Sequence, residues 1–421
     1  MAERLSVAQD VEGSIPSSRP KSLSILLSQA TETALRCHRM SIHMNLETAD
    51  TDAPTVEILP GSPDQSRSGQ SRPDWLTSFE PIPLLHGGHT QTLAGNYWRR
   101  PLFLLPFVSQ PVEVDPLDGS RVLCHCHWQP DAVRADRLTI LLVHGLEGSS
   151  DSRYIKGITM RAWEAGCNVV RMNMRNCGNT ESWTPTLYHS GLSADVHAVL
   201  HFFVNLYGLR RVAMAGYSMG GNLVLKLAGE LADQPPAWLL AAVGVSPAAD
   251  LAASANALHE PANRIYEWHF LGNLMKRFKR KAELFPEIYS THGIGSVRSI
   301  VEFDDRITAR FSGFTGADDY YFRSSGARVV DRISIPTLVL HALDDPFIRM
   351  MPPTREALTL NPATTLIETA HGGHCAFLAK KRTRTEAISQ LPVGTFEDSR
   401  HWAEETLVRF LLAHAGHPRG G

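Results

Sequence analysis

The chain has 421 residues, 43% of them hydrophobic and 20% charged, which suits one large globular domain with insertions or a domain plus a tail. Its 41 Lys and Arg against 43 Asp and Glu give a formal charge of −2, a balance that argues against nucleic acid or an anionic membrane as the main partner. No stretch offers the ~18 uninterrupted apolar residues of a spanning helix. The N-terminus lacks a basic region followed by an apolar one, and Glu3, Asp10 and Glu12 argue against a mitochondrial presequence. Six scattered cysteines show no framework spacing, so free thiols in a reducing cytoplasm are expected.

Residues 1–75 are rich in Ser, Pro, Asp and Gln, as in the stretch Pro54–Pro73. Such a segment buries too little apolar surface to offset its ordering entropy, so a weakly ordered tail is expected, with a short helix near Leu23–Leu35. Met44 offers an alternative start.

From about residue 76 the pattern is that of a domain. Val112–Val114 and Val122–Trp128 read as an antiparallel pair, with Asp118-Gly119 supplying the turn. Leu138–Val143 is a strand, Tyr154–Ala165 a helix and Asn168–Met174 a strand. Gly191–Tyr207 is a helix, Arg211–Tyr217 a strand, Met219–Ala232 a helix and Leu239–Val245 a strand. Strands without polar alternation, separated by helices, mark a parallel sheet covered on both faces. The alternation then stops over 247–333, too long for an ordinary connection and expected to be a helical lid. It resumes with strand Thr337–His341, helix Pro352–Leu360, strand Thr365–Thr369 and a final helix from about Arg400 to Ala413.

Gly216-Tyr217-Ser218-Met219-Gly220 stands between an apolar strand and a helix, the context that gives G-x-S-x-G its meaning. A sharp turn there lifts the Ser218 hydroxyl above the sheet edge, and the glycines remove side chains that would collide. A serine nucleophile needs a histidine base, and the base needs an acceptor that fixes its tautomer. In the chain order Ser, acid, His, two strand ends qualify: Asp344-Asp345, and His371-Gly372-Gly373-His374. Asp345 is the preferred acid, three residues after the small Ala342, with Asp344 the alternative. His374 is the preferred base, since the glycines before it let a loop swing the ring over the serine, and His371 is expected to brace that loop. His144-Gly145-Leu146, after strand Leu138–Val143, is expected to donate one oxyanion N–H from Leu146 and Met219 the other.

Three other clusters invite functional readings. Cys124-His125-Cys126-His127 resembles a metal site, but alternate strand residues face opposite ways and cannot converge on one ion. Lys276–Lys281 (KRFKRK) reads as a solvated helix face, with steering of anionic lipid or acyl substrates as the sharper alternative. His86-Gly87-Gly88-His89 precedes the expected sheet and is expected to be a structural element near the site.

Beyond G-x-S-x-G, further blocks resemble the YheT-like branch of the α/β-hydrolases, related to fungal ethanol acyltransferases and to mammalian membrane-anchored phospholipid and acylglycerol hydrolases. They are His89-Thr90-Gln91-Thr92, His144-Gly145-Leu146-Glu147-Gly148 and Asn173-Met174-Arg175-Asn176-Cys177-Gly178 followed by Tyr188-His189-Ser190-Gly191. Phe303-Asp304-Asp305, Gly313-Phe314 and Tyr320-Tyr321 resemble the family's lid, and Asp344-Asp345-Pro346-Phe347 and His371-Gly372-Gly373-His374 its acid and base segments. Arg310 departs from the family, whose members more often carry proline there. The resemblance spans about Phe79 to the C-terminus. It implies a mostly parallel eight-stranded sheet with helices on both faces and a helical lid.

Together these readings predict a serine carboxylic-ester hydrolase acting on short- to medium-chain acyl esters or acyl lipids. It would need no cofactor or metal, have no nucleic-acid partner and work in the cytoplasm. An acyltransferase passing the acyl group to an alcohol, and a non-catalytic binding protein on the same scaffold, are the alternatives. The sequence is silent on oligomeric state.

Overall fold

The computed structural model describes residues 56–60, 73–98, 110–115, 119–380 and 400–415. The helix expected near Leu23–Leu35 and the alternative start at Met44 lie outside them. The sheet has nine strands among the described residues, in the order β1-β9-β8-β7-β6-β4-β5-β3-β2. These are β1 (Val56–Pro60), β2 (Gln110–Val114), β3 (Val122–His127), β4 (Thr139–Val143), β5 (Asn168–Met172), β6 (Val212–Tyr217), β7 (Leu239–Val245), β8 (Thr337–Ala342) and β9 (Thr364–Thr369). The six strands from β4 to β9 run parallel, while β2 and β3 close one edge antiparallel and β1 the other.

Eight strands were expected, and the ninth corrects the reading of 1–75 as a tail throughout. Val56–Pro60 pairs in antiparallel register with β9, from Val56 opposite Thr369 to Pro60 opposite Thr365. The two β-branched residues Val56 and Ile58 favour a strand, and the pairing covers what would otherwise be the open edge of β9. The remainder of the expected tail up to residue 72 lies outside the described residues.

The central strands are buried along their whole length because both faces are covered. Alternate residues feed two cores: Leu141, Val143 and Met214 face one, while Ile140, Leu142 and Ala215 face the other. The first core lies under α3 (Ser193–Tyr207) and α4 (Met219–Leu231), the second under α2 (Arg153–Glu164) and α9 (Trp402–Ala415). A buried ion pair, Arg161 to Glu404 at 2.9 Å, joins α2 to α9. Between β1 and β2 in the chain, α1 (Gly88–Tyr97) packs near the end of β9 through contacts described below.

Between β7 and β8 the chain leaves the α/β pattern. It forms α5 (Leu251–Leu258), α6 (Arg264–Leu284), a π-helical turn (Asp304–Ala309) and α7 (Ala317–Ser324). No strand occurs between Val245 and Thr337. Arg310, the departure from the family pattern, is exposed at the end of the π turn, its guanidinium 5.5 Å or less from the Phe311 ring centre (5.4 Å). Helix α8 (Pro352–Leu360) then connects β8 to β9.

Sheet order places β5 and β6 on opposite sides of β4. Connections from neighbouring strand ends therefore diverge there, and a crevice opens at their carboxyl ends, where open α/β sheets hold ligands. His144 follows β4 and Ser218 follows β6.

Candidate active site

Ser218 bridges β6 and α4 with φ +53° and ψ −117°, a region that non-glycine residues seldom occupy. The strain is held by the surrounding backbone. Ser218 N donates to Val245 O at 2.9 Å, and its own carbonyl accepts from Asn222 N at 3.0 Å and Ala248 N at 3.1 Å. The flanking glycines are required by contact. A methyl at Gly216 would meet Gly220 O at 2.1 Å, and one at Gly220 would meet Val143 O at 2.3 Å.

His374 and Asp345 meet behind this turn. His374 Nδ1 lies 2.9 Å from Asp345 Oδ2. Asp345 Oδ1 accepts from the backbone N–H of Phe347 at 3.1 Å and of Ile348 at 2.9 Å, which fixes the carboxylate. Burial alone would raise the Asp345 carboxyl, but the His374 imidazole, the His341 ring and the Ile348 N–H hold it below its ordinary value. The alternative acid, Asp344, turns elsewhere. Its Oδ1 accepts from Gly373 N at 2.8 Å, and its Oδ2 lies 3.6 Å from His371 Nδ1. Asp344 thus ties down the loop that carries His374.

Helix α1 supplies ties from far away in the sequence. Thr92 Oγ1 accepts from His374 N at 2.8 Å. Gln91, fully buried, donates to Leu85 O (2.8 Å) and Leu378 O (3.1 Å) and accepts from Leu378 N (2.8 Å). A methyl at Gly88 would strike Asp344 O at 1.7 Å, so His86-Gly87-Gly88-His89 meets the acid segment through a bare backbone. Only the fold brings them to His374.

The turn after β4 is equally fixed. His144 Nε2 accepts from Met174 N at 3.1 Å, so the proton sits on Nδ1, which donates to Gly145 O at 2.8 Å. Burial keeps this ring neutral by lowering its pKa to about 4. Gly145 N donates to Tyr154 OH at 2.8 Å. The next amide, Leu146 N, and that of Met219 donate no hydrogen bond within the described residues, and both residues line the same cavity as Ser218. Two free amides at the mouth of a helix suit an oxygen that becomes negative during reaction.

That cavity measures about 1020 Å³ including its open mouth. Its walls are largely apolar: Leu251, Leu258, Phe270, Leu274, Phe278 and Phe303 come from the insertion, and Leu146, Met219 and Phe347 from the sheet side. Arg277 and Lys281 also face it; Arg277 is paired with Glu147 (3.1 Å) and Glu181 (3.0 Å). Lys281 Nζ donates to Asn176 Oδ1 at 2.6 Å and to the carbonyls of Glu181 (2.8 Å) and Thr184. Burial pulls its pKa down to about 8.

Within the described residues no hydrogen bond joins the Ser218 hydroxyl to His374. His374 Nε2 lies instead 3.5 Å from Cys375 Sγ. Burial alone would lower the His374 pKa, but the Cys375 sulfur and the Asp345 carboxylate outweigh it and raise it to about 10. Of the other sequence candidates, Cys124 and Cys126 point into the apolar core, and His127 bonds Arg171 at 3.1 Å. No group of three His, Cys, Asp or Glu side chains among the described residues could hold a metal ion.

A strained serine between strand and helix, on a mostly parallel sheet with a histidine–carboxylate pair at the same edge, defines an α/β-hydrolase. A family model described as the alpha/beta hydrolase fold matches residues 139–381, and the chain belongs to this family. Within it the chain falls in the YheT-like branch: it is 33% identical to YheT of Escherichia coli over 81% of this chain and 95% of that protein. It is also 33% identical to phospholipase ABHD3 of Mus musculus over 58% of this chain and 59% of that protein. Identity to a monoacylglycerol lipase of Saccharomyces cerevisiae is 26%, over 72% of this chain and 65% of that protein. Esterase- and lipase-type hydrolases are thus its relatives. No described helix is long and apolar enough to cross a membrane.

Proposed function

We propose that the protein is a serine carboxylic-ester hydrolase that cleaves short- to medium-chain acyl esters through Ser218, His374 and Asp345. The observation that carries this reading is the His374–Asp345 pair at 2.9 Å, at the same sheet edge as a serine held at φ +53°.

His374 Nε2 turns from Cys375 toward the Ser218 hydroxyl and takes its proton as the oxygen attacks the ester carbonyl. The Leu146 and Met219 amides bind the resulting oxyanion. The alcohol departs with the proton from His374, leaving an acyl-serine. Water, deprotonated by His374, then releases the acid. Asp345 stays ionised and steadies the imidazolium. Helices α5 and α6 act as the lid that encloses the acyl chain, and their apolar lining supports an acyl rather than a charged occupant.

The test is turnover of p-nitrophenyl esters of increasing chain length, with and without added ethanol. Release of free acid from short and medium esters, abolished in Ser218→Ala, supports the reading. Predominant formation of ethyl ester at modest ethanol would assign the protein to acyl transfer instead.

A further inference from the structure

Helix α6 has two functional faces. Its inner residues Phe270, Leu274, Arg277, Phe278 and Lys281 line the cavity that holds Ser218. The basic run read from the sequence is therefore split, with Arg277 and Lys281 turned inward and Lys276, Lys279 and Arg280 exposed.

The outer positions follow helical spacing and form one stripe. At its N-terminal end Ile265 is 60% and Trp268 80% exposed. Farther along come Lys276, Lys279 and Arg280, with Glu283 as the acid, which pairs with Arg280 at 3.1 Å. Lys276 and Lys279 make no ion pair among the described residues. The other acid of the helix, Glu267 in its first turn, is buried and accepts from Ile300 N at 3.0 Å. A local cationic stripe thus stands on a chain whose overall formal charge is −2.

A second apolar group joins the same end of the helix. His89 of α1 stacks on Tyr266 with ring centres 5.6 Å apart and planes 6° from parallel. Just before α1, a turn closed by Leu85 N donating to Ile82 O presents Leu84, which is 92% exposed. Leu84 has φ +73°, a costly conformation for a branched apolar residue, and burial does not compensate it.

We propose that the outer face of α6, with the Leu84 turn beside it, docks on an anionic phospholipid bilayer. Trp, Ile and Leu would enter the headgroup–acyl boundary, and Lys276, Lys279 and Arg280 would neutralise lipid phosphates. This is the composition by which amphipathic helices lie on membranes. The helix lining the cavity is then the one seated on lipid. Docking does not depend on the proposed chemistry, so the Ser218→Ala protein should bind equally.

The experiment is co-sedimentation of the full chain with vesicles of pure phosphatidylcholine or of phosphatidylcholine with 30 mol% phosphatidylglycerol. The expected result is binding to the anionic vesicles that is reversed by 0.5 M NaCl and at least about tenfold weaker on the zwitterionic ones. The triple variant Lys276→Glu, Lys279→Glu, Arg280→Glu and the double variant Leu84→Ser, Trp268→Ser should each lower binding at least about tenfold. Both should keep the wild-type melting temperature and fluorophosphonate labelling. Wild-type protein that ignores all vesicles overturns the proposal, as does binding unchanged in both variants. A change from dimer to monomer in the Trp268 variant, without vesicle affinity in the wild type, would mark the face as a protein interface and also overturn it.

Discussion

Cys375 Sγ lies 3.5 Å from His374 Nε2, the nitrogen that receives the serine proton in the proposed mechanism. The sulfur raises the His374 pKa and occupies the side of the ring that the reaction needs. The base works only when neutral, so activity falls as pH drops through this pKa. Cys375→Ala removes one cause of the elevation. The acidic limb of kcat/KM for a p-nitrophenyl ester should therefore move to lower pH, measured across pH 5–10. A limb that stays in place would show that the sulfur does not act on the base.

The two adjacent carboxylates should separate sharply. Asp345→Asn leaves His374 Nδ1 facing an amide in place of a carboxylate and should lower kcat by about 10⁴, the loss known for this change in a serine protease. Asp344→Asn keeps an acceptor for Gly373 N and should cost less than about tenfold. Steady-state kinetics on one ester checks both. Equal losses would contradict the assignment of Asp345 as the acid.

Gln91 should matter for stability although it touches no substrate. Gln91→Leu leaves Leu378 N without its acceptor and the Leu85 carbonyl without its donor, while the Leu378 carbonyl keeps only Ile82 N. The expected cost is about 2–4 kcal/mol, read as a fall in melting temperature of several degrees. A variant that melts with the wild type would show that water replaces these bonds without loss.

How far the sequence reveals the site depends on the range of the contacts. The Ser218 elbow is legible because strand, glycines and helix are contiguous, although two of the bonds that hold the strained serine come from Val245 and Ala248 on the next strand and its exit. Asp345 and His374 are legible because strand ends on one sheet edge must converge. The ties from α1 are not, since Thr92 and His374 stand 282 residues apart and nothing local marks either as the other's partner. Strand β1 escapes for a related reason. Its five residues lie in a polar stretch and become a strand only by pairing with β9. Strand ends differ by a residue or two from the expected bounds, as at His127 and Met172, where fraying and turn geometry decide.

The cavity should set chain-length preference through α6. Leu274 is buried and lines it. Leu274→Trp fills space in the apolar wall, so kcat/KM should fall more for decanoyl than for acetyl or butyryl esters, by about tenfold or more in ratio. A uniform loss across the series would place the acyl chain elsewhere.

The central claim is that Ser218 is a nucleophile activated by His374. A fluorophosphonate probe measures this directly, because it forms a covalent bond only with an activated serine. The wild-type protein should label with one adduct, located on Ser218 by mass spectrometry. Ser218→Ala should not label, and His374→Ala should label at least about a hundredfold more slowly. Wild-type protein that resists the probe, or labelling that persists in Ser218→Ala, would contradict the account.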